Sequence, residues 1–395
     1  VGAGSVFGAW IDLREGPNFG ATFTYEISPQ VAVFVPRGVA NAFQTLEPNT
    51  AYTYLVTDHW RNDASYVEVS LADPELEISW PIPLAEATVS AKDLSNVYLR
   101  DVAPFEQPRV VVLGSGGQLG KELESSLHNV TAYSRAEIDI CQPAEFARFV
   151  HSAPNAIVNA AAFTQVDFAE SAEGRALAWA VNAKGAGHVA DLCNTLDIPL
   201  VHISSDYVFD GSKPGQYSED DVLSPLGVYG QTKAAGDIAA ARARRHYLLR
   251  PSWVIGDGRN FVKTMVKLAR QGAQPRVVAD QFGRPTFTSE LRRAIEFLFE
   301  AQAPYGLYNV TNSGDIVSWA DLAEEVFHLV GADRGSVIPV TTQEYLADSA
   351  GSAPRPANSA LSLEKISNLG FVCQDWREPL AQYVEGLLAQ ESDKT

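Results

Sequence analysis

The rhythm of apolar and polar positions changes once along the chain. Before about Pro83 the apolar runs are short: Ala32-Val33-Phe34-Val35, Tyr52-Thr53-Tyr54-Leu55-Val56, Tyr66-Val67-Glu68-Val69 and Leu76-Glu77-Ile78-Ser79-Trp80. Turn formers separate them, notably Pro36-Arg37-Gly38, Pro48-Asn49 and Asp73-Pro74. Runs of this length and spacing predict β-strands, and no helical periodicity competes with them. Residues 1–83 are therefore expected to form a small antiparallel barrel or sandwich. Residues 84–108, with Pro104 and Pro108 and few apolar runs, read as a linker.

From Arg109 the pattern becomes one of alternating strands and helices. Val110-Val111-Val112-Leu113 is a continuous apolar run, as a parallel strand buried on both faces requires. It feeds into Gly114-Ser115-Gly116-Gly117-Gln118-Leu119-Gly120, and Lys121 to Leu127 then has helical character. Strand, glycine turn and helix in that order are the context of a dinucleotide fingerprint. Gly114, Gly117 and Gly120 would let backbone approach a pyrophosphate, with the N–H groups of Gln118, Leu119 and their neighbours at the helix start. A second strand, Val130 to Tyr133, ends in Ser134-Arg135, where a carboxylate for the adenosine ribose is often found. Arg135 would instead attract a 2′-phosphate, which favours NADPH. Asp139-Ile140 close by leaves NADH open.

A third strand, Ala156 to Asn159, runs into Ala160-Ala161-Ala162, small residues that leave room for a cofactor. A helix over about 176–194 and a strand over Leu200 to Asp206 continue the alternation. Together these predict an α/β doubly wound parallel sheet, Rossmann-like, with ligands beyond the C-terminal strand ends. After Trp253 the pattern loosens into helices near 261–270, 290–300 and 319–330, a smaller C-terminal substrate lobe within a domain spanning 109–395.

Candidate chemistry concentrates at Tyr229-Gly230-Gln231-Thr232-Lys233. Positions i and i+4 share a helix face, so a phenol and an ammonium would point into one cleft. A free phenol has a pKa of about 10, and a nearby cation would lower it. Ser205, at the end of its strand, can converge on the same crevice.

Length and charge narrow the partners. The 395 residues exceed one typical domain, and a net charge of −18 repels polyphosphate backbones, so nucleic acid is not an expected partner. The three cysteines, Cys141, Cys193 and Cys373, are odd in number and far apart, fitting neither a disulfide framework nor a metal cluster. No metal site is expected. No run is long and apolar enough for a membrane span, and the chain reads as cytoplasmic.

The second half resembles the dTDP-4-dehydrorhamnose reductases of the extended short-chain dehydrogenase/reductase family. The residues carrying this are Gly117-Gln118-Leu119-Gly120, Asn159-Ala160-Ala161-Ala162-Phe163-Thr164, Ser204-Ser205-Asp206-Tyr207-Val208-Phe209-Asp210-Gly211, Tyr229 to Lys233, Arg250-Pro251-Ser252-Trp253, Asp280 to Thr286 and Arg355-Pro356-Ala357-Asn358-Ser359. The resemblance implies that Tyr229 protonates a C4 carbonyl oxygen as hydride arrives from NADPH or NADH. It implies that Lys233 tunes the phenol and holds the nicotinamide ribose, and that Ser205, replacing a usual Thr, orients the carbonyl. Asp206, Trp253 and Arg355 would contact a dTDP-sugar substrate, and family members can pair as homodimers. Related epimerases and dehydratases share the fold, but dehydration typically needs Asp-Glu where this chain has Asp206-Tyr207. A non-catalytic regulatory subunit is a third reading.

The first part resembles the dTDP-4-dehydrorhamnose 3,5-epimerases, which have a cupin-type jelly roll. The likeness runs through Phe34-Val35-Pro36-Arg37-Gly38, Tyr54 to Asp58, Asp73-Pro74, Ile78-Ser79-Trp80-Pro81 and Ser90-Ala91-Lys92-Asp93. Tyr54 matches that family's acid and Asp93 the carboxylate that orients its base. The base itself, a His, would belong to the half of the jelly roll preceding Val1, and Asn41 stands where the family usually has another His. His59 does not match the base position. This segment is therefore expected to be a partial jelly roll, inactive by itself, from a bifunctional fusion.

Overall fold

The structure, a computed structural model, describes residues 1–36, 38–55, 67–105, 109–127, 129–151, 154–347 and 352–392. It divides into two compact units, Val1–Pro108 and Arg109–Thr395. Among the described residues no helix is long and apolar enough to cross a membrane.

The first unit holds a three-stranded antiparallel sheet of β1 (Val6–Asp12), β2 (Thr22–Ile27) and β3 (Val39–Thr45), in the order β2-β1-β3. β1 is the central strand and is buried along most of its length, with Val6, Ala9, Trp10 and Ile11 almost inaccessible. These are not the strands the apolar runs predict. Ala32 to Val35 and Tyr52 to Leu55 carry no strand, Val67 to Val69 carry none, and Leu76 closes a 3-10 turn, Pro74–Leu76, capped by Asp73. The reason is pairing: an apolar run without a partner ladder stays irregular, and Phe34 is 88% exposed and Leu55 98%. Arg37, Val56 to Asp58, His59 and Tyr66 lie outside the described residues.

Residues read as linker also pack into this unit. Leu99 and Val102 join Ile11, Leu13, Val69 and Leu76 in a core cluster. The Leu99 amide donates to Asp73 Oδ2 at 2.5 Å, fixing the segment.

The second unit is built on a six-stranded parallel sheet: β4 (Val110–Leu113), β5 (Val130–Tyr133), β6 (Ala156–Asn159), β7 (Leu200–Ile203), β8 (His246–Arg250) and β9 (Gly306–Asn309). Their order is β9-β8-β7-β6-β4-β5, every pairing parallel. The helices α1 (Gln118–Ser126), α2 (Ala186–Leu196), α3 (Val228–Ala240), α4 (Phe261–Arg270), α5 (Thr288–Glu300), α6 (Trp319–Val330) and α7 (Arg377–Ser392) accompany it. The helix expected over 176–194 is continuous, but it passes through a π turn at Trp179–Gly185. Short strand pairs, such as Val254–Ile255 with Thr286–Phe287, and a separate core around Met265, Val326 and Leu380 build the smaller lobe.

The chain leaves β4 on one side for β5 and returns on the other for β6, so strand order reverses between β4 and β6. Such a switch point opens a crevice at the C-terminal strand ends. Backbone from the two loops meets there closely. Gly114 has φ +94°, and a Cβ on it would lie 2.6 Å from the Ala161 amide nitrogen. A Cβ on Gly120 would lie 2.1 Å from the Gly114 carbonyl oxygen. Gly116, in contrast, has nothing within 4 Å of its Cβ position. Gly120→Ala is accordingly expected to destabilise the protein by about 1–3 kcal/mol in urea unfolding, and Gly116→Ala to stay within about 0.5 kcal/mol of wild type.

Candidate active site

Beside the open Gly116, the N-terminus of α1 begins at Gly117, which makes no side-chain capping bond. The first-turn N–H groups are thus free of a side-chain acceptor, the arrangement that suits an anion. The Gln118 and Leu119 side chains turn away from this space. Gln118 Oε1 accepts from the Gly256 amide at 2.8 Å, and Leu119 is buried in the core. Lys121 pairs with Asp257 at 2.8 Å, further tying the loop after β8 to this helix.

Past β5, Arg135 is exposed and lies 3.4 Å from Asp139, with the Ser134 amide and hydroxyl bonded to Glu137. Asp139 is lowered from its ordinary value: burial opposes this, and the Cys141 amide and Arg135 outweigh it. Ile140 is a core residue, 3% exposed. Ala160, Ala161 and Ala162 are partly open at the end of β6.

Ser205, Tyr229 and Lys233 come together where β7 ends and α3 begins. All three are buried, Lys233 to 1% exposure. Its ammonium donates to the Ile203 carbonyl at 2.5 Å. Burial lowers the Lys233 pKa to about 8, against a raising influence of Asp237. The Tyr229 phenol is pushed up to about 12 by burial, with the Ser205 hydroxyl opposing and the carboxylates of Asp206 and Asp237 reinforcing. The lowering expected from Lys233 is therefore not what this arrangement produces. Ser205 donates to Asp206 Oδ1 at 3.0 Å, and the Ser359 hydroxyl lies beside the same buried carboxylate. Burial raises Asp206 to about 6, despite the Ser359 and Ser205 hydroxyls.

Around this core lie further residues, of which the sequence singled out Trp253 and Arg355 but not His202, Asn182, Arg259 or Arg276. His202 is fully buried, its ring 3.2 Å from the Asn159 amide, and burial together with the Lys233 charge keeps it neutral. Asn182 in the π turn bonds the Phe163 backbone and the Thr232 hydroxyl. Tyr207 packs edge-on to Tyr229 with centroids 5.4 Å apart. It also lines a cavity of about 500 Å³ with Arg259, Arg276, Gln281, Trp319 and Arg355. Trp253 adopts φ +48° and stacks on Trp319 at 3.7 Å. Arg355 is held by both oxygens of Asp167, at 2.9 and 3.0 Å. Nothing in local spacing marks Arg259 or Arg276, because only the folded lobe brings them to Arg355.

Tyr54 and Asp93 lie in the first unit. A cavity of about 620 Å³ there is bordered by Asn41, Phe43, Glu68, Trp80 and Asp93, but not by Tyr54, which is 65% exposed. The Asp93 carboxylate accepts from the hydroxyl of Ser90, the residue that caps its turn, at 2.7 Å.

Residues 108–389 match the family described as RmlD substrate binding domain. The chain belongs to this family. Relatives of this RmlD-family chain include the spore coat polysaccharide biosynthesis protein SpsK of Bacillus subtilis, 38% identical over 70% of this chain and 97% of that protein. Another is the dTDP-4-dehydrorhamnose reductase of Mycolicibacterium smegmatis, 36% identical over 72% of this chain and 88% of that one. Among solved structures, the dTDP-4-dehydrorhamnose reductase of Bacillus anthracis in complex with NADP aligns with a TM-score of 0.65 at 33% identity, covering 71% of this chain and 99% of that one. Residues 1–101 match a second family, dTDP-4-dehydrorhamnose 3,5-epimerase.

The buried ammonium gives this RmlD-family protein a pH signature. Lys233 has a folded pKa near 8, below its unfolded value, so its charge opposes folding fully below pH 8. That opposition fades as pH rises and is gone above the ordinary lysine pKa of about 10.4. Lys233→Met is expected to gain about 1–2 kcal/mol at pH 7 and nothing near pH 10.5, by urea unfolding at the two pH values.

Proposed function

We propose that the chain reduces the C4 ketone of dTDP-4-dehydro-L-rhamnose to dTDP-L-rhamnose with NADPH. The observation that carries this is the convergence of the Ser205 hydroxyl, Tyr229 phenol and Lys233 ammonium at the end of β7, beside the switch-point crevice. NADPH, when bound, supplies the hydride. The open space at Gly116 and the uncapped start of α1 suit its pyrophosphate, and Arg135 suits a 2′-phosphate on leaving Asp139.

Ser205 exchanges its bond to Asp206 for one to the ketone oxygen, orienting it. Tyr229 gives its proton to that oxygen as negative charge develops there, and Lys233 gives a proton to the phenolate. A phenol held up to about 12 stays protonated at neutral pH, the form a donor must have. Asp206, beside Ser205, and Trp253 are the groups we assign to the sugar. Arg355, with Arg259 and Arg276 in the same cavity, is assigned to the substrate's diphosphate. Dehydration is disfavoured because Tyr207, where a base would be wanted, has its proton held by burial and by Asp206.

Following nicotinamide absorbance with dTDP-4-dehydro-L-rhamnose tests the reading. Tyr229→Phe is expected to lose about 10²–10⁴-fold in kcat with little change in cofactor KM. Arg135→Ala is expected to raise KM for NADPH roughly tenfold while leaving NADH nearly unaffected. Tight nucleotide binding without turnover would defeat the proposal and favour a regulatory subunit.

A further inference from the structure

Gln118 opens α1 directly after the glycine turn, yet its side chain runs to the loop of residues 256–260. Its Oε1 accepts from the Gly256 amide at 2.8 Å, and its Cγ lies 3.5 Å from where a Cβ on Gly258 would stand. Gly256 is buried, so its amide needs an acceptor within the protein, and Gln118 supplies it. Gly256 is held on its other side as well. Its carbonyl accepts from Asn260 Nδ2 and from the Tyr383 hydroxyl of α7, each at 2.8 Å. Asn260 Oδ1 in turn caps α4, accepting from the Lys263 amide at 2.9 Å.

The loop between these anchors depends on such ties. Gly258 takes φ +133°, a conformation that residues with side chains rarely adopt. The second tie to α1, Lys121 with Asp257, joins side chains that are 44% and 69% exposed, and such pairs contribute little in water. Gln118 is thus the main link from α1. Arg259 sits between the anchors, exposed and at the wall of the cavity of about 500 Å³ that Phe261, Arg276 and Arg355 also border.

We propose that the Gln118 side chain is a positioning residue for the substrate. From within the glycine turn it sets residues 256–260, and through them aims Arg259 at the substrate's diphosphate. This rests on the reading above that the cavity takes the dTDP-sugar. The placement also accounts for the residue type: the task needs a carbonyl oxygen far enough from α1 to reach the Gly256 amide, on an unbranched stem that lies against Gly258. An arginine fork pairs well with phosphate oxygens only in a fixed orientation, so the setting of the loop is felt in substrate affinity.

Titration calorimetry of ligand-free protein with dTDP and with NADP⁺ tests this without turnover. Gln118→Met keeps the unbranched stem and removes the acceptor; the Kd for dTDP is expected to rise about fivefold, and that for NADP⁺ to stay within about twofold. Gln118→Glu, which retains an acceptor oxygen, should restore dTDP binding. Arg259→Ala should weaken dTDP by a similar factor, and Gln118→Met/Arg259→Ala should be no weaker than Arg259→Ala alone, because Gln118 acts through Arg259. In turnover, Gln118→Met should raise KM for the sugar nucleotide and leave KM for NADPH in place. If Gln118→Met does not fold, Gln118→Asn, one methylene short of the Gly256 amide, carries the same expectations. Unchanged dTDP affinity, losses that add in the double variant, or an equal loss of NADP⁺ affinity overturns the proposal alone. Wild type that binds NADP⁺ but not dTDP defeats the substrate reading, and the proposal with it.

Discussion

A positive charge held inside the protein is the constraint on which this site depends. Lys233 is 1% exposed, and its ammonium reaches the Ile203 carbonyl only because α3 lies close against the end of β7. Small residues make that approach possible. A Cβ on Gly230 would fall 2.2 Å from the Tyr207 carbonyl oxygen, and one on Gly236 would fall 2.2 Å from that of Asn182. Any larger residue at either place would lift the helix and put the ammonium out of reach. The pairing of Tyr229 with Ser205 depends on the same helix position.

Burying that charge reshapes its neighbours. His202 is kept neutral beside it, Asp237 stands as its counter-charge, and Arg250 balances Asp237 from β8. On the cleft side, Asp206 accepts from the Ser205 hydroxyl, with Ser359 beside it. Charge and counter-charge are thus packed together where β7 meets α3.

How far the sequence discloses this varies with the physics involved. β4 is legible because burial on both faces leaves a continuous apolar run, and Tyr229 with Lys233 is legible because helix geometry fixes which residues share a face. The alanines after Asn159 are legible because close backbone approach admits only small side chains. The strands of the first unit are not, since a strand needs a partner. Thr22 to Ile27 carries a weaker apolar signal than Ala32 to Val35, yet it pairs with β1 and the latter does not. Gln118 is hidden differently: its position in the glycine turn suggests a ligand, but its side chain is taken by the Gly256 amide, 138 residues away.

Arg355 shows why an existing ion pair and the diphosphate contact proposed for it need not conflict. Its guanidinium is desolvated on one side and held by Asp167, whose side chain is 55% exposed. An exposed carboxylate returns to water at little cost, so exchanging it for a diphosphate trades one bidentate acceptor for another. A buried partner would resist that exchange, as Asp237 resists losing Arg250, both side chains being 4% exposed. Two arginine–carboxylate pairs in one domain thus differ in kind: burial locks the inner one, and solvent access leaves the outer one, beside the cavity, free to exchange.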